Sequence, residues 1–272
     1  MIDQPEICQR SLMTAPWRDP LAARLPGLQP VLPGDWLIRD DAFAAQMRLR
    51  DHLFTEHLTK VFAQTPDSLK AQRELFALVV REVRASGAYQ DEGRHIVRPD
   101  GIAIDPTQPP PLIAAARLIQ EDLAILAPGE GGHVLVAAAI AFPASWSLAE
   151  KMGRSLASIH EPVGRIAADM DDRIEALLRR LPADRIVQRS NALAYNDPGL
   201  HQPRPENEPR AFDPGGRAFI RVERQTLRRL PDSGAVVFTI HTTVTRFADL
   251  PETEQQQACA YLESIGAVAP PR

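Results

Sequence analysis

A chain of 272 residues, 44% of them apolar, has material for one large core with elaborations. Its formal charge of −4 argues against a nucleic-acid footprint, which is normally basic. Only Cys8 and Cys259 are present, far apart, which suits a reducing cytoplasm and excludes a cysteine-ligated zinc or iron–sulfur centre within this chain.

The opening "MIDQPEICQR" carries acids early and has no apolar stretch, so it does not read as a secretory signal. No apolar run reaches the roughly 18 residues of a membrane span. Residues 1–38 read as irregular, with Pro and Gly at short intervals. Two helices are expected at 41–62 and 67–87. The second opens in "TPDSLKAQRELFALVV", with Asp67 and Ser68 as cap candidates. The prolines cluster in "DPTQPPPL" and "HQPRPENEP", which read as stiff loops. Residues 111–127 give a third helical segment.

The pattern changes at residue 131. "GGHVLVAAAIAFP" reads as a buried strand, able to form a hairpin with the preceding "DLAILAPGEGG". Ser147 and Glu150 have capping-box spacing, so a helix is expected from Ser147; Gly153 interrupts it and Pro162 ends the next piece. Over 164–181, Ile166, Met170, Ile174, Leu177, Leu178 and Leu181 form an apolar stripe at helical period. Residues 217–245 carry the clearest strand signal, two β-rich runs flanking the turn "PDSG". A last helix is expected at about 251–264. The order of elements predicts an α+β fold, one domain over 1–272 with a helical N-terminal extension over about 1–115.

Strand alternation places Arg224 on one face with Ala218, Ile220, Val222 and Thr226, and Arg221 and Glu223 on the other. A guanidinium among apolar residues needs a partner: a structural ion pair, water at the strand end, or an anionic ligand. Thr239 and His241 share a face, opposite Phe238 and Ile240; a solvated strand face is the ordinary reading of His241. His160 ends a short helix before Pro162. Capping or packing is its ordinary role, and a single neutral imidazole is also the usual proximal ligand of a haem iron. His52 and His57 are five apart, the wrong spacing for a helical metal pair. Glu121 and Asp122 are helix neighbours that do not face each other. "PGEGGH" lacks the Lys-Ser/Thr of a P-loop, and no Gly-x-Ser-x-Gly elbow occurs.

Four blocks, "QEDLAIL" (120–126), "FPASWSLAEKMGRSLASIHEPV" (142–163), "RSN" (189–191) and "RVERQTLRRLPDSGAVVFTIHT" (221–242), resemble the haem-dependent oxidative N-demethylases in order and spacing. The resemblance covers roughly residues 26–265. It implies a PAS-like haem domain, an antiparallel sheet with helices covering one face and haem held between helix and sheet. By the same resemblance His160 is the proximal metal ligand, and Arg189, Asn191 and Arg221 join it as cofactor-binding candidates. Arg224 is the first candidate on the oxygen-binding side, with Glu223, Thr239 and His241 beside it as catalytic candidates. The sequence departs from the family in carrying His241 where Arg is usual and Ala192 where Trp is usual. The implied reaction uses O2 to demethylate a small secondary amine such as dimethylamine, releasing formaldehyde. Electrons are then expected from a separate reductase carrying FMN, an iron–sulfur cluster and NADPH. A haem-based gas or redox sensor and a haem-free homologue are the alternatives. No nucleic-acid or membrane partner is expected.

Overall fold

The computed structural model describes residues 4–19, 27–32, 34–108, 110–160, 168–206, 208 and 210–270, without the side chains of 4, 5, 160 and 168–170. The helices are α1 (Gln4–Ile7), α2 (Phe43–Glu56), α3 (Leu58–Val61), α4 (Leu69–Ala85), α5 (Pro111–Ala116), α6 (Leu156–His160), α7 (Ala168–Arg180) and α8 (Glu252–Ser264). The strands are β1 (Gln29–Pro30), β2 (Phe62–Gln64), β3 (Gln90–Glu92), β4 (His95–Val97), β5 (Ala103–Ile104), β6 (Asp122–Gly129), β7 (Gly132–Ala139), β8 (Ile186–Tyr195), β9 (Phe219–Arg229) and β10 (Val236–Arg246). Seven strands form one antiparallel sheet in the order β1-β8-β9-β10-β6-β7-β2, and β3-β4-β5 form a small second sheet. The class is α+β.

The β9–β10 hairpin is the spine of the sheet. Its turn closes where Leu230 N–H donates to Ala235 O (2.8 Å) and Gly234 N–H to Leu230 O (3.0 Å). Gly234 sits at φ 71°, a conformation that glycine adopts without steric cost. The Glu74 carboxylate of α4 accepts from the turn amides of Asp232 and Ser233 (2.6 and 2.9 Å). The turn is therefore fixed by helix α4 as well as by its own residues.

Helices cover both faces. Leu123, Ile125, Ala137, Ala139 and Val237 pack against α2, α4 and α5. Further along that face, Ala192, Ala194, Ile220 and Val222 pack against α8. On the other face, Ala124, Leu126, Leu135, Ala138 and Val236 meet α6, α7 and the segment around Trp146 and Leu148.

Several expectations are corrected. The helix expected at 111–127 ends at Ala116, and residues from Asp122 form β6. Leu123 and Ile125 are fully buried between β7 and β10, where ladders on both edges outweigh local helical preference. The helix expected from Ser147 is a single 3₁₀ turn, Leu148–Glu150, and Ser147 makes no side-chain cap bond. Gly153 N–H donates to Leu135 O and Leu135 N–H to Arg154 O, so this backbone pairs with β7 instead of coiling onward. Asp67 and Ser68 make no cap bond to α4 either; Ser68 Oγ donates back to Thr65 O. The stretch 41–62 breaks into α2, α3 and the first residue of β2. Pro162 and Ile166 lie outside the described residues. Strands β1, β2, β3, β4, β5 and β8 were not foreseen.

Candidate functional site

A cavity of about 340 Å³ lies between the sheet and the α6–α7 layer. Its floor is Ala124, Leu126, Leu135, Phe238 and Ile240; its roof includes Leu156 and Ile159 of α6 and Ile174, Leu177 and Leu178 of α7. The apolar walls follow from alternation: each floor residue is on the face opposite the α2–α4–α5 core. Four polar side chains enter this lining: Lys151, Arg189, Glu223 and Gln225.

Arg189 is half-buried on β8, and burial lowers its pKa. Among the described residues no hydrogen bond or carboxylate partner meets its guanidinium. Glu223 Oε2 accepts from Gln225 Nε2 (3.3 Å), and Oε1 lies 3.4 Å from Arg221 Nε without hydrogen-bond alignment. Lys151 Nζ donates to Glu206 Oε1 (2.8 Å) and to Ile159 O (3.3 Å). The arrangement is an apolar slot with one unmatched cation and one partly matched carboxylate.

The other candidates separate from this slot. Arg224, Thr239 and His241 lie on the opposite face, away from the cavity, because strand alternation turns them toward the N-terminal elements. Arg224 donates to the backbone oxygens of Trp36 (2.9 Å) and Asp35 (2.6 Å) and to Gln188. Thr239 and Thr226 share a hydroxyl hydrogen bond (2.7 Å). His241 is buried, its Nε2 2.9 Å from Asp40 Oδ2 and its Nδ1 3.4 Å from Glu121 Oε1. These groups staple the segment 35–41 to the sheet. Arg221 is on the cavity-side face, but its fork is spent on Leu200 O (3.0 Å) and Phe142 O (2.5 Å). Asn191 stands directly opposite Glu223. His160 is the last residue of α6; its side chain lies outside what is described. Ala192 is buried in the α8 core, on the face away from the cavity.

Sequence reasoning missed Gln225 and Lys151. Gln225 was within reach, since it alternates with Glu223 and Leu227. Lys151 was not, because its entry depends on the irregular chain between β7 and α6. Among the described residues no group of three or more His, Cys, Asp or Glu is arranged to hold a metal ion, and no helix is long and apolar enough to cross a membrane.

A family model described as "Haem-dependent oxidative N-demethylase, alpha subunit-like" matches residues 27–268, a span that contains every strand and helices α2–α8. No curated protein matches the chain.

Proposed function

The chain belongs to the haem-dependent oxidative N-demethylase alpha-subunit-like family, and on that premise we propose that it is the haem-bearing subunit of an oxygen-using demethylase for a small secondary amine such as dimethylamine, with formaldehyde as a product. The family description carries haem dependence, and an alpha subunit implies a multi-subunit enzyme.

The observation that carries the reading is the apolar cavity with an unmatched Arg189. Its residues fit a flat apolar macrocycle with anionic carboxylates. Leucine and isoleucine side chains line both sides, and a fork-shaped guanidinium suits a carboxylate. Leu156 and Ile159 line the cavity, and position 160 follows Leu156 by four residues, about one helical turn. By the family resemblance His160, the last residue of α6, would be the residue that holds the haem iron. Haem, when bound, supplies the oxygen chemistry. The chain orients it, excludes water with the α6–α7 roof, and offers Glu223 and Gln225 as a polar floor for a small cation.

In this reading the sheet and its α6–α7 layer form a PAS-like haem domain, and residues 1–272 act as one unit in the cytoplasm. Electrons come from a separate reductase, because this chain holds neither a cysteine cluster nor a dinucleotide fingerprint; by the family resemblance that reductase carries FMN, an iron–sulfur cluster and NADPH. The test is the absorption spectrum of protein expressed with ample haem, beside His160→Ala. A Soret band in wild type that is lost or shifted in the variant is expected; no bound haem in wild type overturns the proposal. Haem bound without formaldehyde release from dimethylamine, given a chemical reductant and O2, overturns the enzymatic part and leaves a sensor.

A further inference from the structure

Three adjacent strands set Asn191, Glu223 and Thr242 in one row across the cavity-side face, Glu223 directly opposite both of the others. Thr242 follows Ile240 by two residues on β10, and Ile240 and Glu223 both line the cavity. Thr242 is 1% exposed, and its buried hydroxyl has no hydrogen-bond partner among the described residues. Buried hydroxyls are nearly always bonded; on the opposite face of the same strands Thr226 and Thr239 satisfy each other at 2.7 Å. Glu223 also has acceptor capacity to spare, since a carboxylate offers about four acceptor sites. Its contacts from Gln225 and Arg221 are long, 3.3 and 3.4 Å. Residues directly opposite on antiparallel strands have Cβ atoms about 4.5–5.5 Å apart, close enough for both side chains to touch one small ligand.

We propose that the Asn191–Glu223–Thr242 row is the substrate-ammonium subsite, and that the Thr242 hydroxyl is the residue that selects secondary over tertiary amines. The inference rests on the amine reading above. An aliphatic secondary amine is protonated at neutral pH, as a lysine side chain is, and its ammonium has two N–H donors. Glu223 accepts one and Thr242 Oγ1 the other, while the hydroxyl proton turns toward Glu223. A tertiary ammonium has a single N–H, so one of the two acceptors, the partly buried Glu223 or the buried Thr242, stays unmatched. A site built to hydrogen-bond a group discriminates strongly against an analogue that lacks it.

Isothermal titration calorimetry on the haem-loaded protein with dimethylammonium and trimethylammonium chloride tests this without turnover. Wild type is expected to favour dimethylammonium by about tenfold or more. Thr242→Val, which keeps the shape, weakens dimethylammonium by about tenfold and leaves trimethylammonium within about threefold. Thr242→Ser keeps the wild-type preference, which separates the hydroxyl's role from packing. If Thr242→Val weakens both amines equally, or neither, the assignment to Thr242 is overturned while the amine reading stands. If wild type binds neither amine, the amine reading fails and the subsite with it.

Discussion

His241 sits inside the protein with a carboxylate at each ring nitrogen, Asp40 at 2.9 Å and Glu121 at 3.4 Å. Burial on its own disfavours the charged ring, but the two carboxylates outweigh it and push the pKa up from 6.5 to about 9. That rise corresponds to roughly 3 kcal/mol in favour of the imidazolium. Burial raises the Asp40 pKa, but the hydrogen bonds from His241, Gln120 and Gln9 reverse this and hold it below its ordinary value. The signs follow from linkage. His241 contributes stability fully below pH 6.5 and loses it as pH rises through about 9. Asp40 contributes above its ordinary 3.8 and loses its share as pH falls further into the acid range. Thermal melts between pH 6 and 10 are therefore expected to show Tm falling on the alkaline side. Asp40→Asn, which removes one carboxylate, should move that fall to lower pH; an unmoved limb would assign the alkaline loss to other groups. The ordinary reading of His241 as a solvated strand residue fails because segment 35–41 covers it, and that segment carries no periodic pattern to announce its position.

At the scale of elements, the legible parts were those with a repeating signal. β9, β10 and their turn follow from period-two alternation and "PDSG", and α4 from a stripe that buries Leu75, Val79 and Val83. The β6–β7 hairpin is legible from its glycine turn, but a run buried on both faces has no period of its own, so the helical reading of 111–127 overlaps the start of β6. The Ser147 helix was misread because its cap pattern competes with pairing to β7, a long-range contact. Half of the site was legible for the same reason: alternation puts Glu223 and Gln225 on one face, but which face holds the cavity is decided by where α6 and α7 land. The landing of α7 has a specific anchor. Glu175 Oε2 accepts from the His133 backbone N–H (3.0 Å), and Oε1 lies 2.9 Å from both His133 Nδ1 and Arg179 Nε. Gly132 approaches so closely that an added Cβ would meet Glu175 Oε2 at 3.1 Å, at φ 115°. Charged hydrogen bonds of this kind are worth about 1.5–3 kcal/mol. Glu175→Ala is expected to lower stability by about 2 kcal/mol in urea titration and to speed amide exchange in α7 ahead of β9. Exchange in α7 unchanged from wild type would mean that apolar packing of Ile174 and Leu178 alone holds the roof.

For the whole molecule, the cavity is where two otherwise separate packings meet. The face under α2, α4, α5 and α8 is filled by two apolar clusters, whereas the face under α6 and α7 is shared between a third cluster and the 340 Å³ slot. A ligand that fills the slot links β8, β9 and β10 to the roof and binds only the folded state. It therefore stabilises by mass action, about 2.7 kcal/mol at a free concentration one hundred times Kd. For a chain of this size each kcal/mol raises Tm by roughly 2–4 °C, so added haem is expected to raise Tm by about 5–10 °C. With Arg189 in its proposed role as partner of the cofactor's carboxylates, part of that gain depends on its cation. Its guanidinium has no hydrogen bond or carboxylate partner among the described residues, and burial disfavours its charge, so an anionic group brought against it offsets that cost. Arg189→Leu removes the cation but keeps apolar bulk, so the protein without haem should melt within a degree or two of wild type. Its haem-dependent rise should shrink, with haem affinity down about tenfold or more. Differential scanning calorimetry across a haem titration separates the two effects. An equal loss of Tm with and without haem would make Arg189 a structural residue and place the carboxylates against another cation.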